Sequence, residues 1–547
     1  MKKLFFITIL CGLTLTAAAV PAKREWRTYT QPDGTSIELM LVGDEFCHYT
    51  INRDGQRVKQ NPATGFYEVA EETLTPELIK ARRAKAQARR QRKDVGTTPN
   101  LAPRGVVILV NFNDTKMKAA HTLAVFDELC NATNCTVNTY GGIKYPSAAQ
   151  YFADQSGNTY RPIFDVFGPV ELDSSYVYYG QNVDPTDYES DDKYATDAVI
   201  EACIKANEQF DIDFTKYDSD NDGYVDFVYV IYAGKGAADG GSMNTIWPHN
   251  WSIQAQIYYA SQYPDDIFTN YERSDTRLDG VYLDNYAMSQ ELSGSSLAGI
   301  GTLCHEFGHV MGLPDFYDTD YKTNYKQYLT PNEWDIMDGG SYNGGMHCPP
   351  NYSPWEKYFF GWLTPENLGN EAQHIVLTAN GQEGYKAYQI NLSATQQEAT
   401  EPGECFYLEN RQQLGWDRYV PADGLLIWKV NFNEEAWVNN APNNTSTSGS
   451  PLYTVVCSQG TKIGEKNGAG NVFPNDTINS CWLARKNIEN ITNLLQKVSF
   501  DYSVTGEGIE TVSDEQKDGK ATKILRDNQL IIRCGNKEYT PLGLRLK

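Results

Sequence analysis

Positive charge is what this chain is short of: 47 Lys and Arg stand against 70 Asp and Glu, a formal net charge of −23 over 547 residues. Nucleic-acid binders need basic faces to displace counterions, so this balance excludes that class. It suits a soluble, cation-tolerant extracellular protein. Long apolar runs are also missing. Beyond the first 22 residues nothing approaches 18 continuous apolar positions, which excludes a transmembrane helix. No internal repeat is found. A hydrophobic fraction of 41% with 21% charged residues is ordinary for folded protein and excludes a wholly disordered chain. Aromatics, by contrast, are plentiful at 12%, with 36 Tyr, which favours β-rich surfaces over long helices. At roughly 100–200 residues per domain, the length predicts three or four domains.

Residues 1–22 read as a secretory leader: Lys2 and Lys3, an apolar stretch from Leu4 to Thr16, and the small-residue site Ala17-Ala18-Ala19. Secretion to the cell surface or medium is expected. The cysteines left in an exported chain can pair. Cys130 and Cys135 are near enough for a local bridge, but scattered buried thiols fit the spacing equally well. The stretch 23–79 reads as a small β-rich module, with an alternating run from Ser36 to Leu41 and turns at Asp33-Gly34 and Asp54-Gly55. Residues 80–93 then carry eight positive charges and no negative one. Like charges at that density repel, and an exposed basic linker is a natural site for trypsin-like cleavage.

A domain over 100–370 opens with the buried-strand pattern Gly105 to Phe112, has a second at Tyr224 to Tyr232, and places a helical stretch, Ala195 to Phe210, between them. Mixed strands and helices predict an α/β or α+β domain. From 371 to 504 short strands such as Gly424 to Phe432 alternate with Gly, Asn and Pro turns, which predicts a β-sandwich. Residues 505–547 form a linker followed by strand signals at Gln529 to Arg533 and Lys537 to Thr540.

The stretch Ser295 to Asp318 carries the chemistry. Apolar residues recur every three or four positions, as on an amphipathic helix. His305 and His309 lie four apart, so both imidazoles leave one face a turn apart, as two ligands of a tetrahedral Zn²⁺ require. Glu306 lies beside the metal without binding it, where a carboxylate can take a proton from metal-activated water. This is the H-E-x-x-H pattern. It continues: Gly312 can end the helix in a left-handed turn, Pro314 blocks its extension, and Asp315 returns to supply the third ligand. Asp318 and Glu333 are competing carboxylates, and the Gly312 turn favours Asp315. Downstream, Met337 could form an apolar floor under the metal or simply fill core. Tyr342 could hydrogen-bond a developing oxyanion or merely pack. Separately, Asp218, Asp220, Asp222 and Asp226, with Gly223 between the last two, match the start of a calcium loop. Tyr229 stands where the bidentate Glu would be, and a strand rather than a helix follows, so a complete EF-hand is absent.

CHEFGHVMGLPDFYDTDY resembles the zinc motif of the M6, immune inhibitor A-like metalloproteases, a metzincin-type group. EWDIMDGGSYNG resembles that family's Met-turn, which assigns Met337 to the floor. IYAGKGAADGG, IWPHNW, SPWEKYFFGWLTP and CFYLENRQQLGWD extend the resemblance over most of residues 100–500. GDEFCHYTINRDGQRV is similar to the amino-terminal pro-region of related proteins, which makes 23–99 a pro-region and the protein a zymogen. Pro248 stands where Ser is expected, and Tyr342 where some relatives carry Trp. Cys47 could cap the zinc as a thiolate, though a buried or paired Cys fits better. The last 40 or so residues resemble carboxy-terminal sorting segments recognised by secretion machinery. The resulting expectation is an α+β, metzincin-like zinc endopeptidase acting on proteins or peptides, with Zn²⁺ and Ca²⁺ as cofactors, and monomeric. The alternative is a surface adhesion or glycan-binding protein using the fold as scaffold, and the intact Glu306 argues against it.

Overall fold

The computed structural model describes residues 18–44, 48–61, 63–70, 101–182, 192–242, 244–262, 264, 267–319, 330–391, 404–444, 451–456, 469–475, 478–483, 486–504, 522–526, 529–534 and 537–539. The leader's apolar stretch, Cys47 and the basic linker 80–93 lie outside them. No helix of the described residues is long and apolar enough to cross a membrane.

The amino-terminal module is a five-stranded antiparallel meander, Arg27–Thr30, Ser36–Gly43, His48–Asn52, Arg57–Gln60 and Tyr67–Val69. Gly34 and Gly55 turn it with φ of 86° and 76°, as the Asp-Gly pairs predict. Its core is small: Val42, Tyr49 and Ile51, with Trp26 and Met40 against them.

The central domain is built on one sheet. Four parallel strands run in the order Asn285–Ser293, Val228–Lys235, Arg104–Asn111 and Ile163–Glu171. An antiparallel strand, His249–Ser252, lies along the Asn285 strand, and Ala18–Ala19 adds outside it. Strand Arg104–Asn111 is buried on both faces because its side chains alternate between two apolar clusters. Val106, Ile108 and Val110 point to one and Val107 and Leu109 to the other. Helix Ala195–Phe210, where the sequence predicts it, covers the first face. Helix Gly301–Val310 covers the second, with Phe307 packed edge-on to Phe152, Phe164 and Phe227. The expected strand at 224–232 instead runs Val228–Lys235, because the acidic turn before it extends through Asp226. Cys130 and Cys135 remain separate buried thiols.

Beyond residue 365 two sheets share one apolar cluster. The first runs Glu366–Asn367, Tyr388–Asn391, Cys405–Arg411, Gly424–Val430, Tyr453–Val455, and the second Gln373–Thr378, Lys497–Val504, Lys486–Leu494, Cys481–Leu483. Leu377, Ile390, Leu408, Ile427, Ile488 and Phe500 meet between them. The first sheet is also joined to the central domain through buried Arg411, which pairs with Glu409 and Asp417 at 2.8 Å each and donates to the Asn351 carbonyl. The tail forms a separate three-stranded antiparallel sheet, Thr522–Arg526, Gln529–Cys534 and Lys537–Tyr539.

Candidate metal centre and cleft

The helix holding His305 and His309 is shorter than the predicted amphipathic stretch. It starts at Gly301, where the Ser341 and Met346 carbonyls approach so closely that a Cβ could not fit. It ends as expected: Gly312 takes φ of 105°, its N–H returns to the His309 carbonyl, and Leu313 N–H reaches the Gly308 carbonyl. That turn swings Asp315 back beneath the two histidines.

His305, His309 and Asp315 are all buried, and their donor atoms lie within 4.8 Å of one another. The His305 Nδ1 is 2.7 Å from the Ile336 carbonyl and the His309 Nδ1 2.8 Å from the Leu313 carbonyl. Carbonyls accept, so both Nδ1 atoms carry protons and both Nε2 atoms present lone pairs. These Nε2 atoms face each other at 3.1 Å, with Asp315 Oδ1 3.3 and 3.4 Å away. Asp315 Oδ1 is buried with no hydrogen-bond donor. Two imidazole nitrogens and a carboxylate oxygen converging at one buried point form a donor set for a cation, and two imidazoles with one carboxylate, leaving a coordination position open, suit Zn²⁺.

The other carboxylate oxygen is held from a distance. Asp315 Oδ2 accepts from Asn440 Nδ2 at 2.7 Å and from the Tyr317 hydroxyl at 3.1 Å, and Asp315 N–H donates to Asn440 Oδ1 at 2.6 Å. Asn440 stands 125 positions downstream, just past helix Glu434–Val438, at φ of 51°. Asn tolerates that left-handed conformation better than most residues. Nothing in the sequence pattern pointed to it. Met337 is fully buried beneath the helix, and a Cβ at Gly308 would come within 2.6 Å of its sulfur. Gly308 therefore lets the Met337 turn approach between the two histidines. Asp318 and Glu333 are outside the three-residue group.

Glu306 is buried beside the pair, and its Oε1 lies 3.3 Å from the main-chain N of Val20. The segment around Val20 crosses this centre. Ala18 and Ala19 pair with Asn250 and His249. The Val20 carbonyl accepts from the Trp247 indole at 3.1 Å, and the Pro21 carbonyl from the Tyr342 hydroxyl at 2.6 Å. Val20 and Ala22 pack on Ala237, Ala238 and Trp247. Burial, reinforced by Asp239 and Glu306, pushes the Tyr342 hydroxyl up, so it stays a donor. Trp247 also went unremarked in the sequence, although it lies in the quoted string IWPHNW.

The acidic loop is only partly as expected. Asp218, Asp220 and Asp222 form a group, whereas Asp226 Oδ2 accepts the Ser219 N–H at 3.0 Å. Asp218 takes the N–H groups of Asp222 and Gly223 at 3.0 and 3.1 Å.

The immune inhibitor A peptidase M6 catalytic-domain family matches residues 104–366. A pre-pro-metalloprotease PrtV of Vibrio cholerae serotype O1 (strain M66-2) is 26% identical over 251 residues, 42% of this chain and 25% of that protein. Immune inhibitor A of Bacillus thuringiensis subsp. alesti is 27% identical over 247 residues, 42% of this chain and 34% of that protein. The aligned region thus spans a quarter to a third of these relatives' length.

Proposed function

Because the chain belongs, through residues 104–366, to the immune inhibitor A peptidase M6 family, we propose that it is a secreted zinc endopeptidase of metzincin type, made as a zymogen. The observation that carries this reading is the convergence of His305, His309 and Asp315 beside the buried carboxylate of Glu306. Bound there, zinc supplies Lewis acidity toward a peptide carbonyl. Glu306 takes the proton of the attacking water and returns it to the departing amine. A substrate main chain adds to the edge strand His249–Ser252, whose outer side already accepts Ala18–Ala19. The Tyr342 hydroxyl donates to a peptide carbonyl in the cleft, as it does to Pro21.

Latency follows from the same contacts. While residues 18–22 cross the cleft and the Val20 N–H faces Glu306, a substrate has no access. Leader cleavage after Ala19 takes away the Ala18–Ala19 pairing and leaves Val20 and Pro21 against Glu306, Trp247 and Tyr342 at the head of the pro-region, and cutting within 80–93 detaches them. The domains are a leader over 1–22, a pro-region over 23–99, the protease over 100–370, a β-sandwich over 371–504 and a sorting segment over 505–547. Calcium at Asp218, Asp220 and Asp222 steadies the loop before strand Val228–Lys235, with Asp226 supporting the turn. The test is casein digestion by the full chain after tryptic nicking, with and without chelator, beside Glu306→Gln. Wild type should digest, the chelator should stop it, and the variant should be slower by about 10²–10⁴-fold. Equal digestion by wild type and variant ends the hydrolytic reading.

A further inference from the structure

The Glu306–Val20 contact gives the cleft a direction. In peptide hydrolysis the general acid delivers its proton to the leaving amine. The nitrogen at Glu306 is that of Val20, so Val20 occupies the place of the first residue on the leaving-group side, and Lys23 the fourth.

Lys23 does not point into solvent alone. Its Nζ lies 3.1 Å from Asp239 Oδ1, and Arg27 Nη2 reaches the same oxygen at 2.9 Å. Asp239 is only 2% exposed, and its Oδ2 accepts from the Ser293 hydroxyl at the end of the neighbouring parallel strand. The Lys23 main-chain N–H is fixed too, donating to the Ala238 carbonyl at 3.0 Å. The loop is shaped for a broad cation. Gly240, next to Asp239, adopts φ of 79°, and a Cβ there would overlap the Arg27 guanidinium. Both cations keep an open side, with 24% and 29% of their side chains exposed. Exposed Glu25 lies 3.8 Å from Lys23 and 3.4 Å from Arg27. The only deeply buried anion among these partners is Asp239.

We infer that Asp239 and Gly240 form a subsite for a basic substrate side chain, Lys or Arg, at about the fourth position on the leaving-group side, which the pro-region fills with Lys23 and Arg27. The inference rests on the peptidase and zymogen reading above. Departure of the pro-region removes both cations and leaves the Asp239 carboxylate at the cleft with the Ser293 hydroxyl as its one side-chain donor among the described residues. A carboxylate that has lost its counterions favours an incoming cation there over a neutral side chain of similar length. The same residue then serves latency and specificity in turn.

Two measurements test it. First, the nicked full chain is given peptides differing only by Lys, Gln or Glu at the fourth position after the cut. The Lys peptide should exceed the Gln peptide about tenfold in kcat/KM, with Glu lowest, and Asp239→Asn should bring the Lys-to-Gln ratio near one. A ratio of one in wild type, or one that persists in Asp239→Asn, overturns the subsite; the wild-type series needs no variant to fold. Second, a fluorescent peptide of residues 20–30 is titrated onto the nicked chain against its Lys23→Gln/Arg27→Gln form. The native peptide should bind about tenfold tighter, and equal binding overturns the subsite. This reading does not depend on turnover, so a chain that cuts no peptide refutes the peptidase assignment while binding still decides the subsite.

Discussion

Two clusters of groups that could hold a metal ion stand in contrast. In one, His305, His309 and Asp315 are buried, their outer atoms are tied to the Ile336 and Leu313 carbonyls and to Asn440, and the inner atoms face one another at 3.1, 3.3 and 3.4 Å. In the other, Asp218 is half-buried and Asp220 and Asp222 are exposed. Their oxygens accept N–H groups of their own loop, Asp220 from Asp222 at 3.1 Å and Asp222 from Tyr224 at 2.8 Å. The first cluster is buried and oriented by outer hydrogen bonds that leave its inner atoms free to converge. The second is mostly exposed, and its oxygens are met by backbone N–H groups of its own loop. The difference teaches that spacing selects the ligands, whereas burial and outer-shell hydrogen bonds decide how much a cation matters to the fold.

The comparison can be sharpened at the outer shell. Asn440→Ala removes two hydrogen bonds from Asp315, and outer-shell losses typically cost about 10–100-fold in metal affinity or activity. Competition with a chromophoric chelator should register that loss, and unchanged affinity would mean that Asp315 needs no distant support.

A second test asks whether burial alone carries measurable energy where no metal is involved. Burial pushes the His347 imidazole down to about 4, and its Nδ1 lies 2.6 Å from Asn138 Oδ1. The folded state therefore binds this proton more weakly than the unfolded chain, whose His titrates near 6.5. The contribution is intact above 6.5 and is lost as pH falls toward 4. The melting temperature should drop by a few degrees more between pH 6.5 and 5 in wild type than in His347→Gln. Parallel curves would refute the assignment.

The smallest effect belongs to the exposed loop. Millimolar calcium should raise the melting temperature by about one degree, from weak mass-action binding, and Asp220→Asn should abolish that rise. A rise of ten degrees would break the contrast, because the loop would then be a cage as demanding as the histidine centre.

How much of this was legible in the sequence depends on distance along the chain. The histidine pair, Glu306 and Asp315 fall within one helix and its turn, so periodicity and the Gly312 stop signal specify their meeting. Helix Ala195–Phe210 and strand Arg104–Asn111 are legible for the same local reason. Counting along the loop puts Asp226 at its ninth position but cannot say which way its carboxylate turns, and in the structure its Oδ2 accepts the Ser219 N–H. Asn440, Trp247 and Asp239 were invisible because their partners lie 125, 227 and 212 or more positions away. Such meetings are decided by tertiary packing, on which a single sequence is silent.

Asn440 also redraws where the unit that carries the candidate metal centre ends. The family match stops at residue 366, yet a donor to Asp315 arrives from beyond the first strands of the following sheet pair. A recombinant fragment cut at the family boundary would keep every motif residue and lose that brace, along with the Arg411 hydrogen bond to the Asn351 carbonyl that joins the two units. The carboxy-terminal half thus orients a residue of the candidate metal centre, and recombination that exchanged it for another module would have to supply a new amide at the same spot.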